Sequence, residues 1–483
     1  MPRRAARRLI LASLSLAACS GKSGDKGSLE ALDGSCVLAA DNALRGACTL
    51  HLDEAAAATL DLRLADVHLR FESPEPATEH TIPFYGLIAE QPVRWTLSVD
   101  GGEASGTFET PALPEEAAVS TTVRQPGLGT VDQVFAPRDC GSSPVVDLFD
   151  GQGRVRWYQS FDPDNTVELP PPRNFETVEG LRWTDEGTLL GIVARRRIAE
   201  YDLFGVERTA LLYGEDFDRP VHHDLFRHEG RLYALEAFEI PFEEGTAVAD
   251  GVVVFDEGGA IVERWSIPDH HPLPADLVVD HSEYWTEWFD TTVDLTHTNS
   301  LSINTAGEWL IGLRNTAELL IVDGESGVVT HSLRGTAEAT GEGALSLRSE
   351  AGREARFSAQ HDANWLPDDR LRLFDNGDPS PTNNSAALDL RLDRAAGEAV
   401  IEQAWPTGRS CVLGGSAFDL PSGHVLVGCA EDNEALEVDP SGGVQWTMRL
   451  DCQGAEIGAL PRFIPVSLLP EVDESGSGSE DGD

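Results

Sequence analysis

Lysine is almost missing from this chain. Among 483 residues there are two, Lys22 and Lys26, both near the N-terminus. Arginine does not make up the deficit: 36 basic residues face 82 acidic ones, a formal net charge of −46. Phosphate backbones need basic partners, so nucleic acid is excluded as a ligand. The charge is read instead as a heavily solvated acidic surface that resists association. No two cysteines are spaced C-x-x-C. That argues against a zinc site, and no metal or other cofactor is expected. What the chain does have is apolar residues, 41% of the total, enough to bury large cores. Its length exceeds one ordinary core, so two domains are the starting expectation.

The N-terminus carries a targeting signal. Arg3, Arg4, Arg7 and Arg8 precede the apolar stretch Leu9 to Leu16, which is too short to span a bilayer. Leu16-Ala17-Ala18-Cys19 then reads as a lipobox. The segment resembles the signals of bacterial lipoproteins. That implies a signal peptide over 1–18, acylation of Cys19 and a Gly/Ser/Lys tether over 19–30. In a Gram-negative cell, Ser20 after the cysteine points to the outer membrane, with the protein at its periplasmic face or at the cell surface. At the other end, residues 471–483 are acidic and Gly/Ser-rich, and disorder is expected there. Apart from Cys19 there are six cysteines: Cys36, Cys48, Cys140, Cys411, Cys429 and Cys452. An even number in an exported chain suggests disulfides, with Cys36 and Cys48 the local pair.

Residues 31–112 read as short alternating strands: Ala47 to Leu52, Leu60 to Leu64, Val67 to Phe71, Val93 to Val99 and Gly106 to Thr110. Gly101-Gly102 is a hairpin turn, and the pattern predicts a small fibronectin- or immunoglobulin-like β-sandwich. A Pro/Ala/Glu linker follows. Over 119–468 one phrase then recurs: a polar residue, a tight turn, and an apolar strand. His223 leads to Gly230 and Leu232 to Leu235, and His297 leads to Gly307 and Trp309 to Ile311. His361 leads to Pro367-Asp368-Asp369 and Leu371 to Phe374, and Ser416 leads to Gly423 and Val425 to Val427. Further strands at Val145 and Thr188 bring the units to six. Their spacing brackets that of β-propeller blades, so the expected architecture is all-β, a six-bladed propeller behind the sandwich. In a propeller the residue opening each unit faces one shared mouth, which would gather His223, His297, His361 and Ser416. Ring closure suggests a Cys140–Cys452 bridge, with Cys411–Cys429 inside the last blade. Because neighbours on a strand point to opposite faces, one of His222 and His223 should face the mouth, and His223 is chosen. By the same rule Asp362 should point away from His361.

Gln360-His361-Asp362-Ala363 with Leu373-Phe374-Asp375-Asn376-Gly377 resembles the motifs of the bacterial arylsulfotransferases, the PAPS-independent aryl-sulfate sulfotransferases. So do His297-Thr298-Asn299-Ser300, Leu313-Arg314-Asn315-Thr316 and His223-Asp224, in the same order. The resemblance implies a six-bladed propeller. It implies that His361 is a nucleophile forming a sulfohistidine, in ping-pong transfer from a phenolic sulfate ester to a phenol. His223, His297 and Arg314 would bind sulfate and stabilise the transition state, and Asn299 and Ser416 would be neighbouring substrate-binding residues. The chemistry is coherent on its own terms. An imidazole neutral near pH 7 is a competent nucleophile. A guanidinium fork can hold two sulfuryl oxygens, and imidazole N–H groups can serve the leaving phenolate. Tyr284, Trp285 and Trp288 are read either as a lip for an aryl group or as core. The competing reading is a non-catalytic propeller lipoprotein that binds a ligand or protein. A third is a propeller hydrolase or lyase acting on an anionic substrate. The joint presence of His223, His297, Arg314 and His361 separates the first from the second. Oligomeric state is not encoded in these features.

Overall fold

The structure is a computed structural model. It describes residues 30–139, 144–161, 178–243, 245–273, 280–281, 284–286, 288–377, 384–451 and 462–472. The signal peptide, nearly all of the tether, Cys19, Cys140 and Cys452 lie outside the described residues.

Two long strands, Gly46–Leu64 and Val67–Phe84, form a hairpin that organises the N-terminal part. Period-two burial explains it: Cys48, Leu50, Leu60, Leu62 and Leu64 all turn inward. The two halves of Gly46–Leu64 take different neighbours. The first pairs with Asp33–Leu38, where Cys36 faces Cys48 in register, and those two form a disulfide. The second pairs with Pro92–Val99, which in turn pairs with Gly102–Glu109. The halves also face one another. Phe84 stacks on Phe108 at 6.0 Å, and a Cβ on Gly34 would lie 3.0 Å from Leu97.

Beyond the linker a four-stranded antiparallel meander recurs. It is clearest in Val178–Trp183, Thr188–Val193, Arg197–Asp202 and Glu207–Leu212. The next opens with Val221–His228 and Arg231–Phe242. Another opens with Thr298–Ile303 and Glu308–Leu313, another with His361–Leu366 and Arg370–Asp375, and another with Ser416–Asp419 and Val425–Cys429. Ala344–Ser349 pairs in parallel with the meanders on either side of it and merges them into one nine-stranded sheet. Inner strands such as Thr188–Val193 are buried along their whole length because both faces are covered. Each consecutive pair of meanders encloses its own apolar cluster: Leu190, Ile192 and Ile198 meet Leu225, Leu232 and Val253, and Leu235 and Val252 meet Leu301 and Ile311. The last meander, through Leu426, Trp446 and Met448, shares a cluster with Val134 and Phe135 of the first. The opening strands of successive meanders pack side by side. The protein is therefore all-β and propeller-like.

Two strands that flank the meanders complete the sheets. Ser120–Arg124 adds an edge strand to the last meander, and Ile464–Val466 pairs with Gln133–Asp139 in the first. The expected disorder from 471 onward does not begin there. Glu471 bridges to Leu69 and pairs with Arg156 at 2.8 Å, and the Val472 N–H donates to the His68 carbonyl. Composition counts charges but not partners. Arg156 is buried and the strand carrying His68 and Leu69 offers free backbone groups, so two acidic-tail residues are ordered.

Candidate active site

Four of the opening strands begin with an irregularity rather than with regular pleating. The pairing register shifts between Glu179 and Arg182, His222 and Leu225, Thr298 and Ser300, and His361 and Asn364. At or beside these shifts Gly180, His223, His297 and Asp362 have φ of 61°, 54°, 46° and 51°. A left-handed backbone at a non-glycine residue costs roughly 1–2 kcal/mol, and such outliers gather at functional sites. The glycine is needed for space as well: a Cβ at position 180 would sit 3.0 Å from the Asp224 Cα.

The bulges defeat the alternation rule. His222 and His223 do not part to opposite faces. Both are buried, and their Nδ1 atoms are 2.9 Å apart. The His223 ring lies 5.0 Å from the His297 ring, and Tyr284 lies 4.7 Å from His297 and 5.4 Å from His223. The His297 Nδ1–H donates to Asp294 Oδ2 at 2.6 Å.

His361 has a defined tautomer. Its Nδ1 faces two acceptors, Asn376 Oδ1 at 2.7 Å and the Ala359 carbonyl at 3.0 Å. Nδ1 therefore carries the proton, and Nε2 keeps its lone pair. Asn376 cannot turn its amide round, because its Nδ2 donates to the Cys411 and Gly414 carbonyls, each at 2.6 Å. Burial, then the Arg314 guanidinium and His297, push the His361 imidazole down to about 3. Burial, and next His297, push His223 well below the usual imidazole range. The sign of the consequence is fixed. A folded-state value below that of the free side chain means that protonation favours the unfolded chain. The stabilisation is complete above about pH 6.5 and is lost as the pH falls from there toward 3. We expect the unfolding midpoint to drop on going from pH 7 to pH 5, and to drop less in His361→Asn. Equal drops in a thermal unfolding series would show that His361 titrates as a free imidazole does.

Arg314 follows the strand Glu308–Leu313. Its Nη1 donates to Asn315 Oδ1 at 3.1 Å and its N–H to the His297 carbonyl. Arg195 lies two residues past the strand Thr188–Val193. It pairs with Glu179, and its guanidinium lies 4.0 Å over the Tyr284 ring. The other Glu179 oxygen accepts the His223 N–H at 2.7 Å. Sequence reasoning missed Arg195, because Arg314 was marked only by the resemblance of Leu313-Arg314-Asn315-Thr316 and no such motif surrounds Arg195.

The remaining expected site residues are placed differently. Asn299 is buried and donates to the Gln360 carbonyl at 2.8 Å, so it braces the residue before His361. The Ser416 hydroxyl is fully buried and accepts the Phe463 N–H at 3.3 Å. It belongs to a second polar layer, not to the histidine group. In that layer Asp224 takes Arg182 at 2.8 Å and Arg462 at 2.9 Å, and Asp362 takes Arg462 at 2.8 Å. Asp362 also accepts the Ala417 N–H, as befits a residue directed away from His361. Trp285 is core, packed with Ala237 and Val248, while Tyr284 lies among the histidines. Cys411 and Cys429 are joined, which ties the carbonyl that anchors Asn376 to the next strand.

These features define a propeller-like all-β protein in which imidazoles and guanidinium groups surround one neutral histidine. Residues 131–399 match the model of the family described as Arylsulfotransferase (ASST), and the chain belongs to that family. His223, His297, Arg314 and His361 all fall within the match. No curated protein matches significantly. Among solved structures, a protein of unknown function from Bacteroides caccae is similar at 12% identity and a TM-score of 0.39, covering 68% of this chain and 97% of its own. A virginiamycin B lyase from Staphylococcus aureus is similar at 10% identity and a TM-score of 0.35, covering 68% and 88%. The WD40 β-propeller domain of Doa1 is similar at 10% identity and a TM-score of 0.29, covering 69% and 98%. At these values no property of those proteins is transferred to this chain.

Proposed function

We propose that the protein moves a sulfuryl group from a phenolic sulfate ester to a phenol by two displacements through a sulfohistidine at His361, independently of PAPS. The observation that carries this reading is the Nδ1–H of His361 held on Asn376 Oδ1, which leaves an uncharged Nε2 beside Arg314 and His297. In the first displacement Nε2 attacks sulfur. The N–S bond forms, the S–O bond to the aryl group breaks, and the phenolate takes a proton from a protonated His223 or His297, which is left as the neutral imidazole. In the second, the acceptor phenol returns a proton to that imidazole and its oxygen attacks sulfur. The N–S bond breaks and His361 is neutral again. Arg314 supports the sulfuryl oxygens in both steps. Asn299 acts by placing the chain before His361, and Ser416 by joining the last meander to the C-terminal segment.

The reading extends to the whole chain. The meanders form a six-bladed propeller over 119–468, preceded by a β-sandwich over 31–112. Cys19 carries a lipid that holds the protein at the periplasmic face of the outer membrane or at the cell surface. The test uses protein without residues 1 to 19, a chromogenic aryl sulfate, and a phenol acceptor added or withheld. Phenol release should depend on the acceptor, and intact mass should show one sulfuryl group mapping to His361. A folded protein silent toward a broad set of donors and acceptors would instead be a binding propeller. Release of inorganic sulfate without transfer would make it a hydrolase.

A further inference from the structure

We propose that His222 and Asp250 form a proton relay behind His223, so that His223 can give and recover the proton of the phenol without carrying the positive charge itself. The inference rests on the sulfotransferase reading and adds residues that it does not use.

The geometry is a chain of three buried groups. Asp250 and His222 are fully buried. Asp250 Oδ1 faces His222 Nε2 at 3.3 Å, and neither atom has a hydrogen-bond partner among the described residues. Asp250 Oδ2 is occupied by the Thr296 hydroxyl at 2.5 Å and the Thr298 N–H at 2.8 Å, which fixes the carboxylate. The edge of Trp285 closes over His222 at 4.9 Å. On the far side, His222 Nδ1 meets His223 Nδ1 at 2.9 Å, so one of these two nitrogens must donate to the other. His223 in turn faces the Tyr284 hydroxyl at 3.2 Å and the His297 ring. Burial lowers its basicity first, and then His297, His222, Arg195 and His361 do so. A positive charge is poorly placed on His223 and well placed on His222, against the Asp250 carboxylate.

Proton positions follow from this arrangement. In the donating form His222 holds protons on both nitrogens and is balanced by Asp250. Its Nδ1–H donates to the bare His223 Nδ1, and His223 carries its proton on Nε2. When the aryl oxygen leaves, it takes the Nε2 proton, and the shared proton moves from His222 Nδ1 to His223 Nδ1. His223 is neutral before and after, and His222 becomes neutral with its proton on Nε2 toward Asp250. Deprotonation of the acceptor phenol runs the same two transfers backward. One proton enters or leaves, and none is created.

The experiment compares donors whose leaving phenols differ in acidity. General-acid assistance matters for a poor leaving group and little for a good one, and is worth about 10²-fold or more. Asp250→Asn should lower kcat/KM for phenyl sulfate by about 10²-fold and leave 4-nitrophenyl sulfate within about 3-fold. His222→Gln should show the same split. Equal losses on both donors would mean a purely structural role, and unchanged turnover of phenyl sulfate would remove the relay. Unaltered protein offers a check free of folding defects. Its rate on phenyl sulfate in mixed light and heavy water should bow downward, because two protons move together, and a straight line overturns the proposal. If unaltered protein transfers from no donor at all, it is the sulfotransferase reading that fails.

Discussion

Replacing His361 with alanine is expected to remove sulfuryl transfer, by about 10⁵-fold or more in kcat, and to abolish the sulfated form of the protein. The magnitude follows from the role. If the sulfur is handed first to Nε2 and then to a phenol, no neighbouring group can replace the missing nitrogen. His223 and His297 are near enough to act on the His361 imidazole, but both sit where proton transfer to the aryl oxygen is needed. The fold should survive, because His361 anchors only its own ring: its side-chain bonds go to Asn376 Oδ1 and the Ala359 carbonyl, and Asn376 keeps its two donations to Cys411 and Gly414. The measurements are initial rates with a chromogenic donor and intact mass after mixing with donor alone. A His361→Ala protein that still turns over at near the original rate, or still gains a sulfuryl group on another residue, would remove His361 from the mechanism. Restoration of rate by added imidazole would strengthen its assignment as the nucleophile.

The phase of the chain was legible without coordinates, and for a physical reason. The second strand of each unit must be apolar on both faces, so Thr188 to Ile192, Trp309 to Ile311 and Leu371 to Phe374 stand out against the turns before them. The polar residue opening each first strand was therefore found at His223, His297 and His361. What lay beyond reach was local backbone geometry. Nothing in Val221-His222-His223-Asp224 announces a left-handed His223, and without the bulge the alternation rule discards His222. Asn376 entered only as a member of the motif Leu373-Phe374-Asp375-Asn376-Gly377. It follows the strand Arg370–Asp375, and its side chain sets the tautomer of the histidine at the head of the neighbouring strand. Ser416 shows the opposite failure. It has the right phase, but its meander meets the C-terminal segment at Phe463, so its hydroxyl is spent on a backbone N–H. Parallel pairing through Ala344–Ser349 was invisible as well, since a short linking strand with mixed burial carries little periodic signal.

Asn376 carries the second large effect. Its Oδ1 is the acceptor that keeps the proton on His361 Nδ1, and its amide is oriented by two carbonyls. Without that acceptor the imidazole can shift its proton to Nε2, the tautomer that cannot attack sulfur, or rotate about its bond to the chain. A comparable loss of tautomer control in a histidine-dependent enzyme costs about 10⁴-fold in turnover. Here the Ala359 carbonyl, at 3.0 Å, retains part of the control, so about 10³-fold is expected for Asn376→Ala. The same change strands the buried Gly414 carbonyl, at about 1–3 kcal/mol, and leaves the Cys411 carbonyl only the Ser385 hydroxyl at 3.5 Å, so the variant should also unfold at a lower temperature. Asn376→Asp separates the two effects. It keeps an oxygen for the Nδ1–H but turns a carboxylate toward the two carbonyls and places a negative charge beside the imidazole. That charge raises the basicity of His361, so attack should weaken at acid pH and recover as the pH rises. Rates of sulfo-enzyme formation in a single turnover, across pH, read this directly. A flat profile in Asn376→Asp together with undiminished formation in Asn376→Ala would show that the asparagine holds the loop at Cys411 and has no hold on the nucleophile.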